Sequence, residues 1–325
     1  MRADVNRDFT TAASPSKRSI YAALAGNVAV AVVKLVAYFV SGSAAMLVEV
    51  IHSLIDTANQ GLLLLGLRLS ARPADERHPF GYGMESFFWT FIVGLLILVA
   101  GGVASVYEGI EKLRRPTAID HLPLTLGVLA ISFVLETIAF VASWREFERG
   151  RPVLTRRLRG VTLAQAIHHS PDPGVFEVLA EGVATLLGLV IAAAGIIGSV
   201  VFHLAWADGA AAVAIGILLI ALAGIVLSES KSLLTGEAVH PVILEGVREI
   251  LSADARIKKV GEILSMFLGP NHILLAATVD FQDGLTGQQI SEASNDVLKH
   301  LQEVEPRVCR LFLRADGAPR TNEVR

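Results

Sequence analysis

Four ionisable residues lie in two pairs inside long apolar stretches, and each pair is spaced by four. His52 and Asp56 fall within Ala44 to Leu67, and Glu177 and Glu181 within Gly174 to Ile197. Residues four apart share one face of a helix. A charged group at bilayer depth costs on the order of several kcal/mol, so such groups are rare and usually functional. An imidazole and three carboxylates converging from two helices make a nitrogen and oxygen donor set that suits Zn²⁺. The same set accepts Mn²⁺, Fe²⁺ or Co²⁺, whereas the lack of thiolates argues against Cu(I).

Each pair also has a plainer reading. Glu49, His52, Asp56 and Asn59 form one polar stripe, which could be a seam packed against other helices. Asn or Ser would serve a seam at lower cost than Asp. Glu177 reads alternatively as a side chain snorkelling toward the cytoplasmic interface, while Glu181 lies a turn deeper. Asn27 and Lys34 interrupt the first apolar stretch, and Glu136 stands midway along the fourth. Glu136 reads either as a proton relay or as the ion-pair partner of Lys34. Asp208 reads as an interfacial or helix N-terminal carboxylate. His168 and His169 read as solvated residues. In RHPFGYGMES, His78-Pro79 and Gly81-Tyr82-Gly83 spell a tight turn with a structural histidine.

Positioning these residues requires membrane helices. The chain has 325 residues, 53% of them apolar, and a mean hydropathy of +0.55. About 20 apolar residues cross about 30 Å of hydrocarbon. Six stretches qualify: Ser19 to Val40, Ala44 to Leu67, Phe87 to Tyr107, Leu122 to Ser143, Gly174 to Ile197 and Trp206 to Leu227. With the N-terminus inside, the cytoplasmic tail and loops near these spans hold thirteen Lys and Arg, against three in the outer loops. That bias sets six spans with both ends cytoplasmic. Residues 1–18 read as a cytoplasmic tail without a cleavable signal. Cys309, the single cysteine, excludes a disulfide framework and a thiolate cluster. The net charge of −3 is uninformative, and no nucleic-acid partner is expected.

From Glu229 the pattern changes. Pro241 to Ser252 and Thr286 to Gln302 have helical spacing. Val260 to Phe267, His272 to Phe281 and Val308 to Leu313 read as strands, the first two joined at Leu268-Gly269-Pro270-Asn271. The expected fold is therefore an α-helical membrane protein. A six-helix domain (19–228) precedes a small cytoplasmic α/β domain (229–315) of order helix, strand, strand, helix, strand, and a disordered tail (316–325).

These residues resemble a known family, the cation diffusion facilitators, which exchange divalent metal cations for protons. The resemblance rests on HSLID with His52 and Asp56, on HPFGYGMES, on the segment from Asp172 to Glu181, and on ESKSLLTGEAV at the junction with the tail. It covers Lys17 to about Leu313. By resemblance, His52 and Asp56 are the first half of the transport site. Glu181 keeps the first position of the acidic pair found in one subgroup, and Gly182 stands where that subgroup has Asp. Glu177 joins the set by helical spacing rather than by motif. The resemblance implies a secondary transporter, not an enzyme, that moves Zn²⁺ or another divalent cation out of the cytoplasm against protons. It implies no cofactor, the metal being substrate. Its partners are metal cations, protons and the lipid bilayer, and it works as a homodimer in the cell (inner) membrane. No ATP-binding P-loop pattern is present. The alternatives are an intramembrane metal sensor or a metalloenzyme, but no H-E-x-x-H pattern or nucleophile supports the latter.

Overall fold

The computed structural model describes residues 15–41, 44–116, 122–149 and 173–315. The side chains of 15–20, 22–23, 40–41, 44–49, 51–52, 124, 146–149 and 173–176 also lie outside the described set, which includes Glu49 and His52. His168, His169, residues 1–14 of the expected 1–18 tail and the expected tail at 316–325 are outside it entirely, whereas residues 15–18 begin α1.

The chain divides into two units. Among the described residues, the first contains six helices: α1 (Pro15–Ser41), α2 (Ala44–Ser70), α3 (Glu85–Arg114), α4 (Leu122–Arg149), α5 (Pro173–Val200) and α6 (Ala207–Leu234). Among the described residues, four stretches, Glu85–Arg114, Thr125–Arg145, Glu177–Val200 and Ala207–Leu234, are long and apolar enough to cross a membrane. Helices are the natural solution there, because hydrocarbon offers no partner to a free backbone amide. α1 packs on α2 and α4, α4 on α5, and α2 on α3. The outer faces expose large apolar side chains such as Phe39, Val99, Tyr107 and Ile138, as a lipid-facing surface does.

α3 is not uniform. Ile97–Val103 is π-helical, a local widening that periodicity alone does not foretell. Beyond it, α3 meets α6 almost backbone to backbone. A Cβ on Gly109 would lie 2.6 Å from Val213 N and 2.8 Å from Gly209 O. One on Gly216 would lie 2.7 Å from Val106 N and 2.8 Å from Gly102 O. Small residues allow this approach, and close packing is what drives helices together in lipid. Near the end of α3, Lys112 bridges Glu108 at 3.3 Å and Asp208 at 3.2 Å. Asp208 is in the first turn of α6, as its sequence position predicts, and its cation comes from the neighbouring helix. α6 runs seven residues past the expected end of its span, through ESKSLL to Leu234, since that segment breaks no helical rule.

Among the described residues, the second unit comprises Arg72–Met84 and 232–315. Its elements are α7 (Pro241–Ala253), β1 (Ile257–Gly269), β2 (His272–Phe281), α8 (Gly287–Val304) and β3 (Val308–Ala315). The order matches the helix, strand, strand, helix, strand pattern of the sequence. β1 and β2 pair antiparallel, and β2 and β3 pair parallel, so α8 makes the crossover that a parallel pair needs. The core joins Val247 and Leu251 of α7, Ile273, Leu275 and Val279 of β2, and Ala293, Val297 and Leu301 of α8, all buried. Thr286 and Gln289 cap α8 reciprocally. Arg307 forks onto Glu305 at 2.7 and 3.0 Å in a buried turn before β3. Burial of the Cys309 thiol raises its pKa, which disfavours a reactive thiolate.

The loop Arg72–Met84 is built around Asp75. Its Oδ1 accepts from the amides of Arg77 and His78, and its Oδ2 from the Tyr82 hydroxyl at 2.7 Å. These bonds hold the Asp75 carboxyl below the ordinary carboxylate range. His78 stacks on Tyr82 with ring centroids 4.1 Å apart, consistent with a structural histidine. At the end of the loop, a Cβ on Gly83 would strike the Leu268 carbonyl, and one on Gly269 would lie 2.8 Å from Gly83 Cα. The loop and the β1–β2 turn therefore touch through bare backbone.

Candidate metal site in the helical unit

α2 and α5 each carry their ionisable pair along one face. Asp56 lines a cavity with Asn27 and Lys34 of α1, Ser53 of α2, Ser132 and Glu136 of α4, and Thr185 of α5. A neighbouring cavity shares Asn27, Asp56, Glu136 and Thr185, and adds Gln60, Ser143 and Glu181. The structure thus brings Asp56 and Glu181 to one cavity. His52 lies on α2 one turn before Asp56, but its side chain is outside the described residues.

Glu177 is fully buried. Neither of its oxygens makes a well-formed hydrogen bond among the described residues, and the Glu181 carboxyl one turn on interacts with it directly. Glu181 also stands within electrostatic reach of Asp56 and Glu136. Buried carboxyls this close need protons or a cation between them. Among the described residues, no three His, Cys, Asp or Glu side chains already stand in metal-binding geometry.

Two residues escaped the sequence reading. Gln60 is buried and donates its Nε2 to Glu181 Oε2 at 2.6 Å. The signal was available, because Gln60 follows Asp56 by four as Asp56 follows His52. Phe140 of α4 explains Gly182: a Cβ there would sit 2.9 Å from Phe140 Cδ2. An aspartate at that position would collide with the ring. Asn59 is buried as the stripe predicted, and its Oδ1 has no hydrogen-bond partner among the described residues.

The transmembrane domain of the cation efflux family matches residues 20–235. The chain therefore belongs to that family, the cation diffusion facilitators, and is a multi-pass membrane protein. Among its relatives is the mitochondrial proton-coupled zinc antiporter SLC30A9 of Xenopus laevis, 30% identical over 84% of this chain and 48% of its own. Metal tolerance protein C4 of Arabidopsis thaliana is 28% identical over 84% of this chain and 59% of its own. The magnetosome protein MamM of Magnetospirillum gryphiswaldense is 29% identical over 74% and 72%. The chain spans about half the length of the SLC30A9 relatives it matches.

Proposed function

We propose that this chain moves a divalent metal cation, Zn²⁺ foremost, out of the cytoplasm in exchange for protons. The observation that carries the reading is the buried Glu177 beside Glu181 on one helix, with Asp56 of another helix lining the same cavity as Glu181. His52, Asp56, Glu177 and Glu181 are the proposed ligands. Every one of them is itself a base, so metal and protons compete for the same atoms. Family membership and the zinc antiporters among the relatives support the same reading.

The reading extends to six spans with both ends cytoplasmic in the cell (inner) membrane. It also includes a homodimer, whose mass light scattering of detergent-solubilised protein would report. Its test is flux. Full-length protein in vesicles with an imposed pH gradient should accumulate Zn²⁺, and Asp56→Ala should reduce that uptake to the protein-free level while inserting normally. Uptake at the parent rate by Asp56→Ala would place the ligands elsewhere. Zn²⁺ uptake indifferent to the pH gradient would remove proton exchange.

A further inference from the structure

Lys34 and Glu136 take no part in the proposed ligand set, yet both line the cavity that contains Asp56. They come from different helices, α1 and α4, so this is not an accident of one amphipathic face. Glu136 interacts electrostatically with both Asp56 and Lys34. It also reaches Glu181 across the adjoining cavity. One ammonium therefore shares a polar cavity with carboxylates contributed by two other helices. In a low-dielectric interior such a charge is felt at several ångströms with little screening. Lysine carries a compact charge on a flexible four-carbon stem, so the ammonium can shift between neighbouring carboxylates without helix movement.

We propose that Lys34 is a tethered counter-cation of the transport site, with Glu136 as its second anchor. The inference rests on the reading of Asp56 as a metal ligand. With the metal gone, the ammonium neutralises Asp56. When a divalent ion arrives at Asp56, like-charge repulsion displaces the ammonium toward Glu136. The lysine thus holds metal affinity down and eases release. It is a positioning residue that acts through Asp56 and Glu136 and never touches the metal.

The test measures Zn²⁺ affinity with a competing chelator dye and Zn²⁺ flux in vesicles, both on the full chain. Lys34→Met should bind Zn²⁺ about tenfold more tightly and turn over several-fold more slowly. Lys34→Arg keeps the charge and should restore both to near the parent. Glu136→Gln removes the second anchor and should weaken Zn²⁺ binding. Tighter binding with slower flux supports the proposal, since a merely structural lysine would lose both together. Unchanged affinity and flux in Lys34→Met, with the parent transporting normally, overturns this inference alone. If the parent carries no Zn²⁺ and Asp56→Ala binds it equally well, the reading of the site falls and this inference with it. Should Lys34→Met fail to fold, Lys34→Met/Glu136→Gln removes both charges together. Tighter binding in that double variant than in Glu136→Gln supports the proposal, and equal binding overturns it.

Discussion

α3 and α6 meet through glycine, while α1, α2, α4 and α5 surround polar side chains. Both arrangements lie in the same helical unit, and they use opposite means. At Gly102, Gly109, Gly209 and Gly216 the glycine itself contributes no side chain, so backbone of the partner helix and the side chains of Ile220, Val213, Leu113 and Val106 pack directly against it. Around Asp56, the cavities are lined by Asn27, Lys34, Glu136 and Glu181, a polar amide and three ionisable groups. Glycine contacts suit a pair that keeps its geometry, and ionisable contacts suit a group whose occupancy changes. The π-helical stretch Ile97–Val103, which contains Gly102, is a local departure from that regularity.

The contrast is broken most severely by filling the glycine seam. Gly109→Leu has backbone on two sides of its new Cβ, and overpacking of that kind should lower the thermal midpoint by about 10 °C. Differential scanning fluorimetry in detergent reads this. The surviving folded fraction should rank metals as the parent does, and an altered ranking would mean that the seam shapes the site. A smaller effect is expected at the polar cluster. Glu177→His exchanges a hard ligand for a borderline one and should shift competition between Zn²⁺ and Mn²⁺ toward Zn²⁺ by about fivefold, with little change in stability. An unchanged ranking would remove Glu177 from the ligand set. The smallest effect belongs to Gly61→Ala on α2. No atom lies within 4 Å of the new Cβ, so the midpoint should move by no more than about 3 °C. A large loss there would mean that an exposed glycine matters as much as the buried ones in the seam.

Much of this was legible in the chain. The ionisable pairs announced themselves because charge in an apolar stretch is conspicuous, and the tail's element order followed from a change of period. What was hidden depended on neighbours from other helices. Gln60 looked like one more polar residue until Glu181 stood opposite it. Lys112 looked like a loop cation until Asp208 met it from α6. The absence of Asp at 182 had no visible reason until Phe140 was seen filling the space. The glycine seam was invisible for the same cause. Glycine in an apolar run carries no periodic signal, and only the partner helix gives it meaning.

The backbone contact between Gly83 and Gly269 also has a consequence for how the protein is made. The loop that ends at Gly83 leaves the ribosome before four of the six helices, whereas its partner turn follows all of them. At an ordinary elongation rate of about 5–20 residues per second, the loop waits roughly ten to forty seconds for that turn. During that interval its glycines face nothing, and the Asp75, His78 and Tyr82 network must keep its shape unaided. A message cut short anywhere before Leu268 leaves the loop permanently in that state.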